Sequence, residues 1–283
     1  MKRKTRILHA IDSPNIVDEF YKKFMIKLCI LISYIYLKGN FTELTKTDRD
    51  MIELLYLDSS AFTANKQNLD IRHEYLSFIK HTWQFFDQHV NYDDRFDDHE
   101  HNLYNQMYLE ENLPREIRKP MPVLHDIDNP FEELKMYIDL GYKYVALGSG
   151  NKKVGNNVLD IINSDYPDID VHVFGRLDLK MLKTFKPYSA DASTYALEAA
   201  KGGILYWDKE KKRRYQVYVG GREKPIDAKI THFKSFKKEN ERFRNLMENT
   251  FEYSHYDLLT DYTKRQMVNI YFFKQFEDYV NGT

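Results

Sequence analysis

The sequence predicts an α/β chain, a (β/α)8 TIM barrel followed by a C-terminal β-hairpin and a helical extension. Three observations carry this. Short β-branched or aromatic runs alternate with longer stretches of helical periodicity. Eight such runs fall before residue 200. Between them stand residues suited to helix ends, and eight strands separated by helices are the pattern of a closed barrel.

The predicted strands are 6–10, 30–35, 54–59, 89–93, 122–127, 144–147, 170–174 and 188–191. The predicted helices are 16–29, a short one at 45–51, then 71–86, 101–111, 130–140, 156–164 and 177–184. Asn129 precedes Pro130, a capping side chain ahead of a proline that suits a first helical turn, and Gly141 stands where a helix end needs positive φ. The barrel domain takes residues 1–200. Residues 201–283 form the second region, packed on the barrel: ILYWD, the run KEKKRR and YQVYVGG read as a hairpin with a charged turn, followed by helices at 228–249 and 257–279.

With 42% hydrophobic and 30% charged residues over 283 positions, the chain is a folded globular protein rather than a disordered or fibrous one. Its 42 Lys and Arg nearly balance 43 Asp and Glu, so any surface that attracts nucleic acid must be a local one. The single cysteine, Cys29, excludes a disulfide framework and Cys-rich metal sites, and reads as a core thiol in helix 16–29. The apolar stretch 24–37 is broken by Lys27 and Ser33 and is shorter than the roughly 20 residues a bilayer requires. The basic N-terminus lacks the apolar core of a secretory signal. The expectation is a cytoplasmic protein with no membrane partner. Aromatic residues reach 15%, which serves packing first and base stacking second.

Active sites of such barrels lie at the C-terminal mouth, so strand-ending residues are the candidates. Three predicted strands end in acids: Asp58 in LLYLD, Asp93 in HVNYD and Asp191 in YSAD. An acid there either caps the following turn or is paired or used, and three in one mouth would shift each other's protonation. The run YDDRFDDHEH around Asp93, with Asp94, Asp97 and Asp98, reads as a solvated acidic loop or a weak divalent-cation site. His125, ending PVLH, either donates to a ligand or satisfies a neighbouring carboxylate. ALGSG at 146–150 offers backbone N–H groups to a flat ligand or phosphate. His172 alternates with Val171 and Val173 and reads as a barrel-interior or helix-facing side chain. The runs KEKKRR (209–214) and KSFKKENERFR (234–244) are solvated charge or a phosphate-tracking surface.

The ordered set LDSSAF (57–62), VNYD (90–93), PVLHDID (122–128), LGYKYVALGSG (140–150), HVFG (172–175) and YSADAST (188–194) resembles the tRNA-guanine transglycosylase superfamily. The likeness is greatest to its compact phage and genomic-island branch, which acts in exchanging guanine for a 7-deazaguanine in DNA. It covers about residues 30 to 200. The resemblance implies that Asp58 is a general acid/base and that Asp191 attacks the anomeric carbon. It implies a base pocket made by Ser59, Phe62, Asp93, His125 and the backbone of Leu147, Gly148 and Ser149. His125 stands where the tRNA enzymes have Gln, and Ser60 stands where they have Gly. With one cysteine the chain cannot build their Cys/His zinc site, which argues against a tRNA substrate, while Ser60 and the lack of Pro-Thr-Arg after Asp191 are expected to alter the pocket.

The expected function is therefore N-glycosidic bond cleavage through an Asp nucleophile, as a DNA guanine transglycosylase that uses a free 7-deazaguanine base, with no cofactor and no metal. Lys211, Lys212, Arg213 and Arg214 are the expected contacts to the nucleic-acid backbone, and the target nucleotide is flipped or single-stranded. Three alternatives use the same residues differently: a DNA glycosylase that leaves an abasic site, a non-catalytic nucleic-acid-binding barrel, and a metal-dependent hydrolase built on YDDRFDD.

Overall fold

The computed structural model describes residues 4–11, 13–95, 98–125, 130–148, 152–220 and 231–283. The chain forms two compact units, Met1–Ala192 and Ser193–Thr283. The division falls ahead of residue 200, because helix Thr194–Ala200 is tied into the second unit. There Asn269 Nδ2 donates to Tyr195 O at 2.8 Å and Arg265 Nε to Ala199 O at 2.7 Å.

The first unit is a (β/α)8 barrel. Its strands are β1 (Arg6–Ile11), β2 (Leu28–Ser33), β3 (Ile52–Asp58), β4 (Gln88–His89), β5 (Val123–Leu124), β6 (Tyr144–Leu147), β7 (Asp170–Val173) and β8 (Ser189–Ala192). All pair in parallel, in the order β4-β3-β2-β1-β8-β7-β6-β5. The two edges meet where Val90 bridges Met121: Met121 N–H donates to His89 O at 2.7 Å and Asn91 N–H to Met121 O at 2.9 Å. With helices between strands, both faces of the sheet are covered, so strand sequences such as LCILIS are nearly continuously apolar.

Alternate strand residues fill the barrel. Leu8, Cys29, Leu31, Tyr56, Val90, Met121, Val123, Tyr144 and Ala146 pack as one buried cluster. Each buried aliphatic side chain of this kind contributes about 1.5–3 kcal/mol, which is what holds the strand ends in register.

Local chemistry moved several boundaries from their expected places. The predicted helix 16–29 ends at Phe24, because Met25 turns left-handed (φ 54°) and closes on Tyr21 O. Cys29 accordingly lies in β2, buried in the barrel interior rather than in a helix. Strand β2 begins at Leu28 instead of 30, and the expected helix 45–51 is instead Phe41–Lys46 plus a single 3-10 turn, Arg49–Met51. Helices Ala61–Lys66 and Thr194–Ala200 were not expected.

In the second unit β9 (Gly203–Asp208) and β10 (Arg213–Tyr218) form the expected antiparallel hairpin, with β11 (Thr231–His232) added parallel to β10. The two long helices expected next are each broken by a capping side chain. Asn240 accepts from Phe243 N–H, dividing Phe233–Glu239 from Glu241–Asn245, which runs on into a π-helical turn, Leu246–Phe251. Asp261 accepts from Lys264 N–H and divides His255–Thr260 from Tyr262–Asn281. Among the described residues, no helix is long and apolar enough to cross a membrane.

Candidate active site

The C-terminal ends of the strands gather an acidic, hydrogen-bonded cluster. Asp58 ends β3 and Ser33 ends β2, in register with each other. Ser33 Oγ donates to Asp58 Oδ2 at 2.9 Å, and the same oxygen accepts from Ser60 N–H at 3.1 Å. Ser60 Oγ lies 2.6 Å from Ser33 Oγ and accepts from Ile35 N–H at 2.9 Å. These bonds hold Ser60 in the left-handed region, φ 65°, a conformation that favours glycine. One oxygen of Asp58 is thus engaged by two donors of the protein.

Burial pushes the Asp58 carboxyl up to about 6; Ser33 and Ser60 act against the rise, while the charges of Asp93 and Asp191 add to it. Asp93 lies four residues beyond β4, which is shorter than the expected strand 89–93, yet Asp58, Asp93 and Asp191 share one electrostatic field. A carboxyl with this value exchanges a proton readily near neutral pH, as a general acid/base requires.

Asp191, on β8, is buried. Its Oδ1 accepts from Gly175 N–H at 2.9 Å, and His172 Nε2 stands 3.3 Å from the same oxygen. Among the described residues both neighbours meet Oδ1, which leaves Oδ2 as the oxygen open to an electrophile. Capping is not its job: the N-cap of the next helix is Ser193.

Asp93 is buried between two partners. Its Oδ2 is hydrogen-bonded to His125 Nε2, and Ser59 Oγ lies 3.5 Å from Oδ1. Ser59 is wholly buried, with its hydroxyl also accepting from Ala61 N–H at 3.3 Å, so it reaches a ligand through Asp93. His125 thus satisfies a neighbouring carboxylate, and its own N–H donates to Glu133 Oε2 at 3.0 Å. Asp97 lies outside the described residues, and the other acids of the run have other tasks. Asp94 meets His101 Nε2 at 3.0 Å and Asn105 Nδ2 at 2.9 Å, and Asp98 caps the helix His99–Asn112. Among the described residues no three His, Cys, Asp or Glu side chains gather as metal ligands do.

Phe62, in the first turn after the Asp58 loop, is 58% exposed, with Lys66 Nζ 4.1 Å from its ring centroid. An exposed phenyl beside a polar mouth is a stacking surface for a flat ligand. Leu147 is buried at the end of β6, Gly148 follows it, and Ser149 lies outside the described residues. In the second unit Lys211, Lys212, Arg213 and Arg214 are all exposed at the β9–β10 turn; Arg213 lies over the Tyr215 ring at 5.1 Å.

Two residues of the site were not singled out from sequence. Ser33 was read as an interruption of an apolar stretch, and only its register with Asp58 reveals it. His172 was placed correctly in the interior, but its approach to Asp191 depends on β7 and β8 being neighbours.

No protein-family model matches the chain, and no curated protein matches it. Among solved structures the chain is similar to one assigned as a fructose-1,6-biphosphate aldolase from Coccidioides immitis, with 10% identity and a TM-score of 0.53 over 99% of this chain and 91% of that one. At that identity the likeness establishes the barrel fold.

Proposed function

We propose that the chain is an enzyme that cleaves an N-glycosidic bond in a nucleic acid, DNA in the first instance, and exchanges the released purine for a 7-deazaguanine. The observation that carries this reading is the field shared by Asp58, Asp93 and Asp191, in which one carboxyl is raised to about 6 and another offers a free oxygen. Glycosidic cleavage with retention needs that division of labour. The resemblance noted in the sequence assigns the same two roles to the same two positions.

In the first half-reaction Asp191 Oδ2 attacks the sugar's anomeric carbon. The bond from that carbon to the base nitrogen breaks, its electron pair leaves with the base, and Asp58 gives its proton to the leaving base. A glycosyl ester of Asp191 remains. In the second, Asp58 as carboxylate takes the N–H proton of the incoming base, whose nitrogen attacks the same carbon while the ester oxygen departs. Two inversions return the original configuration. Asp93, fixed by His125 and Ser59, is suited to accept N–H donors from a base edge, and Phe62 to stack on its face.

The aldolase likeness favours no second reading. Amine-based aldol chemistry forms a Schiff base on a lysine. Among the described residues, none of the eight barrel strands carries a lysine.

The test is nucleoside mass spectrometry of DNA and of RNA incubated with the purified protein, with and without free 7-deazaguanine. The expected result is incorporation of the added base and a covalent sugar adduct, both lost in Asp191→Asn. Abasic product without any need for added base would replace exchange by hydrolysis. Unchanged nucleic acid under every condition, or full activity in both Asp58→Asn and Asp191→Asn, would overturn the assignment.

A further inference from the structure

A run of hydroxyls crosses the barrel interior beneath Asp191 and ends on His172. Tyr56 Oη and Tyr144 Oη are 2.9 Å apart, Tyr144 Oη and Ser189 Oγ 2.7 Å, and Ser189 Oγ and His172 Nδ1 2.8 Å. All four residues are buried, His172 and Ser189 completely. The imidazole is held edge-to-face by Phe174, at 4.4 Å between centroids, and by Tyr56, at 5.9 Å. Its Nε2 makes no aligned hydrogen bond and stands 3.3 Å from Asp191 Oδ1.

Each hydroxyl has one proton to give, and a neutral imidazole has one N–H, so the run has two possible polarities. In the first, Tyr56 donates to Tyr144, Tyr144 to Ser189 and Ser189 to His172 Nδ1. The ring proton then sits on Nε2, facing the Asp191 carboxylate oxygen at 3.3 Å. In the second, Nδ1–H donates to Ser189, Ser189 to Tyr144 and Tyr144 to Tyr56. That polarity sets the Nε2 lone pair against the Asp191 carboxylate oxygen 3.3 Å away, and two acceptors facing each other in a buried site repel, which favours the first.

We propose that His172, as the Nε2–H tautomer with Ser189 Oγ against Nδ1, is the positioning residue for Asp191. Gly175 N–H donates to Oδ1 and His172 Nε2–H faces the same oxygen, so Oδ2 is the oxygen presented to the sugar. When the glycosyl ester breaks, the negative charge returns to the carboxylate, and the same two donors stabilise it as the leaving group. This rests on Asp191 being the nucleophile, as proposed above.

The test has a spectroscopic and a kinetic arm. Nitrogen-15 NMR of histidine-labelled protein, with the His172 signals assigned by their loss in His172→Gln, should show the proton on Nε2. Ser189→Ala, which removes the hydroxyl that donates to Nδ1, should leave the proton on Nε2 and shift the Nδ1 signal to that of an imidazole nitrogen without a hydrogen bond. A wild-type Nδ1–H tautomer overturns the proposal. In the kinetic arm His172→Leu should lose about 10²-fold in kcat with KM changed less than about twofold, and His172→Gln, whose amide N–H can still donate, should restore most of the loss. A His172→Leu protein with wild-type kcat overturns the proposal, as does a Gln variant no better than a folded Leu variant. If the wild type turns over no nucleic acid, or Asp191→Asn is fully active, it is the nucleophile assignment that fails. The NMR arm then still decides which tautomer His172 adopts.

Discussion

Gly148 passes so close to His125 that a Cβ at position 148 would lie 2.7 Å from the imidazole Nδ1 and 3.3 Å from Leu124 O. The same imidazole holds Asp93 through Nε2. The backbone at the end of β6 is therefore the wall that sets the ring's position, and the ring sets the carboxylate's.

Gly148→Ala consequently displaces His125 from Asp93. Overpacking of this kind costs about 1–3 kcal/mol, and losing the aligned pair is expected to lower kcat/KM about 10- to 100-fold, mainly through KM. In a His125→Ala background the ring is absent and the added methyl has space. The stability cost of Gly148→Ala should then fall to a small fraction of its value alone, in a double-mutant cycle read by urea unfolding. Additive costs would show that the ring is not what the methyl strikes.

Asp58 gives a stability prediction with a definite sign. Its carboxyl is raised from 3.8 to about 6 by burial, with Asp93 and Asp191 adding to the effect. The unfolded chain ionises more readily than the folded one, so stability falls as pH rises from about 4 to about 6 and the loss is complete above that, at most about 3 kcal/mol. Asp58→Asn removes the penalty. Its stability relative to wild type should rise across that window and stay level above it, even as catalysis is lost. An Asn variant whose relative stability is the same at both ends of the window contradicts the raised value.

Ser60 holds positive φ without being glycine, secured by its hydroxyl between Ile35 N–H and Ser33 Oγ. Two substitutions separate the backbone from the hydroxyl. Ser60→Ala loses the hydrogen bonds and keeps the strain; Ser60→Gly loses the same bonds and relieves it. Both are expected to be less stable than wild type, with Gly better than Ala by about 1 kcal/mol in thermal or urea unfolding. Equal stabilities would mean that position 60 is not strained.

These relationships also show which parts of the site a sequence can disclose. An acid at the end of an apolar strand is conspicuous, because burying it is costly, and Asp58, Asp93 and Asp191 were legible for that reason. Their partners were not. Ser33 is an ordinary residue at the end of LCILIS, and it matters only because β2 and β3 pair in a register that puts it opposite Asp58. His172 lies 19 positions from Asp191 and meets it through strand pairing. Apolar runs between helical stretches located the eight barrel strands, although β4 and β5 are shorter than the runs 89–93 and 122–127, of which residues 126 and 127 lie outside the described residues. The C-terminal helices were less legible, because Asn240 and Asp261 look like ordinary polar residues on a continuing helix until their side chains are seen to accept from Phe243 and Lys264 N–H.

The β9–β10 turn carries the last prediction. With a net charge of -1 the chain has no overall attraction for nucleic acid, so the proposed binding has to draw on a local cation cluster. Lys211, Lys212, Arg213 and Arg214 stand exposed and consecutive at one turn, which suits them to follow a phosphate backbone. Each phosphate neutralised on a single strand adds about 0.7 to the magnitude of the slope of log K against log salt. Replacing all four by Ala should lower that slope by about 2 to 3, measured by fluorescence anisotropy with a single-stranded oligonucleotide over a salt series. Because none of the four belongs to the mouth cluster, kcat at saturating substrate should change little while KM rises. A slope identical to wild type would show that the turn meets no phosphate and that the charge there is only solvated.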